Sequence, residues 1–160
     1  MTSFQDRITI LRVDPETPEA RRCLTAYLHL LSERIAGMPA SHVPDPDPEA
    51  ASYRPPGGAF LIARRDDGQP VACVALKTLS PGVGEVKRLW VDASARGHGL
   101  ARRMMRAIED EARSMGLAQL RLDSNESLTE AIALYRSDGW GDIPAYTGWP
   151  ATHWFGKTLT

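Results

Sequence analysis

The chain has 160 residues, of which 42% are hydrophobic and 24% charged, a composition typical of one globular domain spanning residues 1–160. Nineteen basic residues balance twenty acidic ones, so no overall positive field favours binding to nucleic acid or to an anionic membrane. No apolar run approaches the roughly 18 residues of a membrane span, and residues 1–7 lack the apolar core of a secretion signal. The composition therefore predicts a cytoplasmic protein without nucleic-acid or membrane partners.

The first predicted elements are a strand, a helix and a long loop. Residues 8–13 alternate weakly, as in a strand. Thr17 before Pro18 is typical of a helix start, and apolar residues at helical spacing predict a helix over residues 18–36. Residues 37–58 are rich in proline and acidic residues, which predicts little regular structure. So long a loop is either a lid or pocket wall, or a flexible excursion.

Three strand-like runs follow, at residues 59–64, 71–79 and 85–91. Turn sequences containing Gly68 and Gly82 separate them. Because short turns join neighbouring antiparallel strands, these runs predict an antiparallel meander.

The rest of the chain alternates helices with strands. Apolar residues at helical spacing predict a second helix that ends at Gly116, a suitable left-handed cap. These residues are Leu100, Met104, Ile108, Ala112 and Met115. Residues 117–123 have the pattern of a strand, Ser127 and Glu130 form a capping-box pattern for a third helix, and residues 140–157 are expected to supply two last strands.

Cysteine and histidine spacing argues against a metal site. Cys23 lies in the first predicted helix and Cys73 inside an apolar run, so both are expected to be buried free thiols. The histidines show no ligand spacing, and the sequence lacks the Cys-x-x-Cys and His-Glu-x-x-His motifs. We therefore predict no metal.

A glycine loop lies between the third strand of the meander and the second helix. Arg96, Gly97 and Gly99 stand just before this helix, where backbone N–H groups have no helical partner. Glycines let a phosphate approach the backbone, and the helix dipole and an arginine attract it. The alternative is a glycine-containing helix entry that binds nothing, but arginine with two glycines favours a phosphate.

Two other phosphate loops fit less well. The nucleoside-triphosphate motif Gly-x-x-x-x-Gly-Lys-Ser/Thr is absent. A dinucleotide fingerprint requires a third glycine where Arg102 stands, although Asp123 at the end of the next strand could imitate its ribose-binding acid. That match is partial.

Three motifs in order resemble the GCN5-related N-acetyltransferase (GNAT) family. Residues 96–101 match its Arg/Gln-x-x-Gly-x-Gly/Ala signature, residues 85–91 look like its central strand, and residues 131–140 look like its second helix motif. The resemblance implies an α/β fold with a mixed, mostly antiparallel sheet flanked by helices. It also implies a gap between two splayed parallel strands that holds acyl-CoA.

The same resemblance implies acetyl-CoA as cosubstrate, with its pantetheine along the central strand and its pyrophosphate on the glycine loop. The backbone would supply most of these contacts. The cofactor-binding residues implied are Leu89, Trp90, Val91, Arg96, Gly97, His98, Gly99, Leu100, Ala101 and Arg102.

The implied chemistry is direct attack of a primary amine on the thioester in a ternary complex. Glu85 resembles the family's base position, where it would act through a water, although a solvated acid at a strand end is an equal alternative. Tyr135 resembles the tyrosine that protonates the departing thiolate. A strand amide near Leu89 or Trp90 would stabilise the oxyanion.

Some residues depart from the family pattern. Many relatives carry asparagine seven residues before the tyrosine, where this chain has Leu128, and Asn125 lies out of register. Lys87 and Arg88 could attract an acidic substrate, although such residues on a sheet edge are more often solvated.

The sequence leaves the acceptor open between small-molecule and peptide amines, and it leaves a homodimer open. A non-catalytic acyl-CoA-binding sensor is the alternative to an enzyme. Acetyl-CoA binding is expected of both, whereas turnover is expected only of the enzyme.

Overall fold

The computed structural model describes residues 3–4, 7–38 and 47–160, so residues 39–46 of the predicted long loop lie outside the described part. The strands described are β1 (Ile8–Arg12), β2 (Gly58–Arg65), β3 (Pro70–Ser80), β4 (Val83–Val91), β5 (Gln119–Ser124), β6 (Gly141–Asp142) and β7 (His153–Thr158). The α-helices described are α1 (Pro18–Arg34), α2 (Leu100–Ser114) and α3 (Thr129–Ser137). Two short 3-10 helices cover Ala50–Tyr53 and Ala93–Ala95.

The strands form one sheet in the order β1-β2-β3-β4-β5-β7-β6. All neighbours are antiparallel except β4 and β5, which run parallel. Their pairing covers only Val83 to Glu85 against Gln119 to Arg121, and beyond Glu85 the two strands separate. The predicted meander and fold class are confirmed, including the splay between two parallel strands.

Helices cover the sheet on both faces. The larger core includes the apolar face of α2, which contributes Leu100, Met104, Met105, Ile108 and Ala112. The smaller core lies under α1 and includes Ala20, Cys23, Leu24, Tyr53, Phe60, Ile62, Cys73 and Ala75. Because β3 is buried on both faces, its sequence is a continuous apolar run.

Helix ends test the cap predictions. Thr17 caps α1, since its side chain accepts a hydrogen bond from the Ala20 N–H. Gly116 follows α2 with a φ of 78°, in the left-handed region predicted for it. The capping box predicted at Ser127 is wrong: α3 starts after Leu128, which makes no side-chain cap, and the Ser127 N–H donates to Asn125 Oδ1 at 2.8 Å.

A β-bulge interrupts β4 at Arg88. Ala75 of β3 pairs with Lys87 and Cys73 pairs with Trp90, so β4 advances three residues while β3 advances two. Arg88 occupies the left-handed region with a φ of 63°, which is uncommon for a residue with a side chain. Leu89 and the residues after it are therefore displaced by one position relative to a regular strand.

Cys23 and Cys73 are both buried free thiols, as predicted. Among the helices of the described residues, none is long and apolar enough to cross a membrane.

Candidate active site

The strand splay opens into a cavity of about 330 Å³ between α1, the end of β4, the glycine loop and α3. Nine of the ten residues predicted to bind the cofactor line it. They are Leu89, Trp90, Val91, Arg96, Gly97, Gly99, Leu100, Ala101 and Arg102. Because β5 leaves β4 at Glu85, this part of β4 borders open space instead of a neighbouring strand on that side.

The glycine loop presents backbone donors to this first cavity. Gly97 and Gly99 have φ values of 82° and 74°, a conformation that glycine adopts without steric cost. Gly99 caps α2 without a capping side chain, and a Cβ added at Gly97 would meet nothing within 4 Å. The first turn of α2 is thus open to an anionic ligand, as a diphosphate requires.

Three arginines line the first cavity, and each has a partner. Arg34 of α1 lies 3.2 Å from the Glu130 carboxylate, and Arg102 lies 2.7 Å from that of Asp138. The Arg96 guanidinium donates to the Val91 carbonyl at 3.2 Å. Since Glu130 pairs with Arg34 and Asp138 with Arg102, Arg96, which binds only a carbonyl among the contacts described, is the lining cation left to attract an anion.

His98 is the predicted residue that the structure places elsewhere. Its ring stacks on Phe4 with 4.1 Å between centroids, and it is absent from the described lining of the first cavity. Since the side chain packs on Phe4, only the His98 backbone retains a direct place in the predicted cradle.

A second cavity of about 350 Å³ adjoins the first. Both are lined by Tyr27, Leu31, Leu89, Leu128 and Ala131. The second cavity extends towards Asp123 to Asn125 at the end of β5 and towards residues 147–151 of the loop before β7. A ligand in one cavity would therefore meet a ligand in the other beside Leu89.

Tyr135 lines the second cavity from α3. Its ring is buried against Trp140 and Phe155, at centroid distances of 6.0 and 5.7 Å. Burial, together with the charges of Tyr27 and Asp123, raises the pKa of the Tyr135 phenol. The phenol is therefore protonated at neutral pH and can act as a hydrogen-bond donor.

Glu85 lies at the point where β4 and β5 separate, opposite Arg121. Its carboxylate is buried, and Oε2 accepts a hydrogen bond of 2.8 Å from the Tyr146 hydroxyl. Oε1 lies 3.8 Å from both Lys77 and Lys87. Glu85 lies outside the described lining of the two cavities, so contact with an acceptor would require a water or a shift of Tyr146.

A cluster of charged side chains lies beside Glu85 and was not predicted from the sequence. Arg88 donates to Asp47 at 2.8 Å and to Glu49 at 3.0 Å, and its guanidinium lies over the Tyr27 ring at 5.8 Å. Glu49 also accepts from Lys77 and Lys87, at 2.7 and 2.5 Å. The interpretation of Lys87 and Arg88 as solvated edge residues is wrong, because β4 is an inner strand and both side chains are paired.

The Glu49 carboxylate should make the thermal stability of the protein depend on pH. Burial by itself would raise the Glu49 pKa, but hydrogen bonds from Lys77 and Lys87 overcome it and lower the pKa to about 2. A carboxyl whose pKa is lower in the folded state stabilises the fold above its unfolded pKa of about 4.3 and stops doing so as pH falls towards 2. At pH 7 we expect Glu49→Gln to melt below the wild type, with the gap closing between pH 4.5 and 2.

Thermal melts of both proteins at pH 7, 4.5 and 3 test this. Glu33→Gln, at an exposed position of α1, is the control and should match the wild type throughout. A Glu49→Gln gap that stays constant down to pH 3 contradicts the assignment.

Asn125 has a structural role in the described geometry. Its side-chain amide donates to the Pro150 carbonyl at 2.6 Å, and its oxygen accepts from the Ser127 N–H. It therefore ties the loop before β7 to the start of α3.

Comparison with known proteins identifies relatives with this architecture. Residues 20–140 match the model of the acetyltransferase (GNAT) family. A protein named IAA acetyltransferase, from Azospirillum brasilense, is 46% identical over 85 residues, which make up 52% of this chain and 54% of that protein. The chain thus spans about half the length of this curated relative.

Solved structures share the fold along almost the whole chain. A Klebsiella pneumoniae protein described as an acyl-CoA N-acyltransferase has a TM-score of 0.76 at 28% identity, over 96% of this chain and 98% of its own. A Salmonella typhimurium acetyltransferase solved with acetyl-CoA has a TM-score of 0.72 at 18% identity, over 96% of this chain and 95% of its own.

Proposed function

Because the chain belongs to the acetyltransferase (GNAT) family, we propose that it is an N-acetyltransferase that transfers the acetyl group of acetyl-CoA directly to a primary amine of a small molecule or peptide. One observation carries this proposal: two cavities meet at Leu89, one with open backbone donors and arginines, the other with a buried tyrosine. The proposed transfer is direct, since both cysteines are buried and neither is among the described lining residues of the two cavities.

The residues of the first cavity suit acetyl-CoA. The N–H groups of Gly99 to Arg102 and the Arg96 side chain would hold the pyrophosphate, and the backbone of Leu89 to Val91 would pair with the pantetheine. Acetyl-CoA supplies the activated thioester. In this proposal an N–H of Leu89 or Trp90, next to the bulge, donates to the thioester oxygen as it gains negative charge.

Tyr135 is the proposed general acid. An unperturbed thiol has a pKa of about 8.5 and a phenol one of about 10, so protonation of a free thiolate by tyrosine is uphill. The raised pKa of Tyr135 widens the gap between the pKa of the phenol and that of the thiol. The proposed role is therefore to donate a hydrogen bond that strengthens as the sulfur gains charge, with transfer of the proton completed as the thiol leaves.

Glu85 is the proposed base, acting through a water. An alkylamine with a pKa of about 10.4 is mostly protonated at neutral pH and must lose a proton before it attacks. The Tyr146 hydroxyl bonds to Glu85 Oε2, and two lysines neighbour Oε1. These contacts occupy both carboxylate oxygens, and Glu85 lies outside the described lining of the two cavities, which favours relay through a water over direct contact with the amine.

Thiol release from acetyl-CoA over a panel of primary amines tests the proposal, after binding has been measured separately by thermal shift. At a concentration 100-fold above Kd, acetyl-CoA should stabilise the protein by about 2.7 kcal/mol. Amine-dependent thiol release supports the enzyme. Binding without release from any amine indicates a sensor, and the absence of binding contradicts both functions.

Gly99→Ala should weaken acetyl-CoA binding specifically. The added Cβ at a φ of 74° is strained by about 1–2 kcal/mol and stands where the diphosphate would approach. We expect Kd for acetyl-CoA to rise roughly tenfold, equivalent to about 1.4 kcal/mol. Isothermal titration calorimetry measures it.

Gly68→Ala is the matched control, because Gly68 has a φ of 89° in the β2–β3 turn and its Cβ would meet nothing within 4 Å. Both variants carry backbone strain, but only Gly99→Ala changes the proposed cradle. Equal Kd values for the two variants contradict the assignment.

A further inference from the structure

The second cavity is lined by an exposed carboxylate, Asp123, that makes no salt bridge within the described residues. Asp123 Oδ2 accepts a hydrogen bond of 2.7 Å from the Thr147 hydroxyl, whose oxygen accepts from Trp154 Nε1 at 2.8 Å. No salt bridge within the described residues involves Asp123. The Asp123 side chain is therefore held in place by neutral groups, and its charge is available to a ligand.

Asp123 also lies close to the proposed chemistry. Its charge contributes to the raised pKa values of Tyr27, Tyr135 and Tyr146, which come from α1, α3 and the loop before β7. Burial is the larger cause for each of the three. Asp123 and Tyr135 both line the second cavity.

The cations of this cavity are already engaged. Lys87 donates to Glu49, and Arg88 donates to both Asp47 and Glu49. Among the described residues that line this cavity, a carboxylate on an acceptor would find no unpaired cation, whereas an ammonium group would find Asp123.

The remaining wall of the second cavity is largely apolar. It includes Leu28, Leu31, Ile35, Met38 and Trp149. Trp149 is 67% exposed, which is unusual for so large an apolar side chain. At about 350 Å³ the cavity is at the small end of ligand pockets, which span about 300–1,000 Å³.

We propose that the acceptor is a small cationic amine with an aromatic or similarly apolar body and no carboxylate, that Asp123 binds its ammonium group, and that Trp149 packs on its body. This inference rests on the proposed function and specifies its acceptor. Asp123 binds the protonated amine as it enters; before attack the nitrogen releases one proton through a water to Glu85 and keeps an N–H hydrogen bond to Asp123, which leaves its lone pair free for the thioester.

Matched substrate pairs test the acceptor class. Phenethylamine and phenylalanine, or tryptamine and tryptophan, differ only in the carboxylate. We expect kcat/KM to be at least about tenfold higher for the amine of each pair, because the carboxylate would lose its hydration without gaining a cation. Equal rates within a pair, faster turnover of the amino acids, or faster turnover of lysine peptides would overturn the proposal.

Single substitutions test which residues bind the acceptor. Asp123→Asn should raise KM for phenethylamine about tenfold, the scale of a charge-assisted hydrogen bond, and leave Kd for acetyl-CoA unchanged. Trp149→Ala should lower kcat/KM for phenethylamine more than for methylamine. Asp142→Asn, at an exposed carboxylate on β6, is the control and should match the wild type.

An unchanged KM in Asp123→Asn, with a wild-type melting temperature, overturns the assignment of Asp123 as the ammonium-binding residue.

The proposed acceptor class and the proposed enzyme function fail in different ways. Turnover of other amines but not of arylalkylamines sinks the acceptor class alone, whereas the absence of acetyl-CoA binding sinks the enzyme as well.

Discussion

Tyr135→Phe is expected to lower kcat by about a hundredfold or more, the scale of general acid catalysis, while Kd for acetyl-CoA stays within about twofold. Phenylalanine keeps the ring between Trp140 and Phe155, so only the proton donor is lost. Steady-state thiol release and calorimetric binding measure the two quantities. A poorer leaving thiol should suffer a larger loss in the variant.

Tyr53→Phe is the control for Tyr135→Phe. Tyr53 is fully buried in the smaller core, and its hydroxyl has no hydrogen-bond partner among the described residues and lies outside the described lining of both cavities. Removal of that hydroxyl should leave kcat unchanged. If Tyr135→Phe also retains kcat within about twofold, Tyr135 has a packing role and the acid must be sought elsewhere.

Asp47→Asn should be among the most destabilising single changes in this chain. The Asp47 side chain has no exposed surface, and it faces the Arg88 guanidinium. Loss of one partner of a buried ion pair costs about 3–5 kcal/mol, and the lower end applies because Glu49 still pairs with Arg88. At this chain length about 3 kcal/mol lowers Tm by roughly 6–12 °C, which differential scanning calorimetry resolves.

Asp110→Asn is the surface control for Asp47→Asn. Asp110 is paired with Arg113 across one turn of α2, and its side chain is 78% exposed. Exposed pairs contribute about 0–1 kcal/mol, so this variant should melt within a few degrees of the wild type. Equal melting temperatures for the two variants would mean that the Asp47–Arg88 pair does not support the fold.

The sequence was sufficient for those parts of the fold that depend on local periodicity. Apolar spacing predicted α2, and the Thr17 and Gly116 caps follow from the chemistry of single residues. The capping box predicted for α3 is wrong because the Ser127 N–H donates to the Asn125 side chain instead of to Glu130. The motif alone does not show that a second side chain competes for this donor. The short strand β6 also lacks a pattern, since only two residues form it.

Those parts of the candidate site that main-chain atoms form could be predicted from the sequence. The glycine loop and β4 could be located because glycine and strand patterns determine main-chain geometry. The charge cluster could not, since Arg88 and Asp47 are 41 residues apart and Asp47 stands in a run of alternating proline and aspartate that favours a loop. Nothing local indicates that the His98 ring would stack on Phe4.

The β4 bulge also escaped prediction, since an arginine at positive φ has no sequence signal. Val86, Leu89 and Val91 all face the larger core, at spacings of three and then two. A regular strand cannot place them on one face, but one extra residue at Arg88 does so. The apolar pattern of β4 is therefore explained only when the bulge is included.

Arg88 combines two tasks that an engineer would want to separate. Its backbone sets the path of the strand that would face the acyl donor, and its side chain binds Asp47 and Glu49 beside the second cavity, where the acceptor would bind. Redesign of acceptor preference through residue 88 would therefore disturb the donor side as well. Asp123 and Trp149 belong to other elements, so a library that retargets this scaffold can vary them while β4 stays constant.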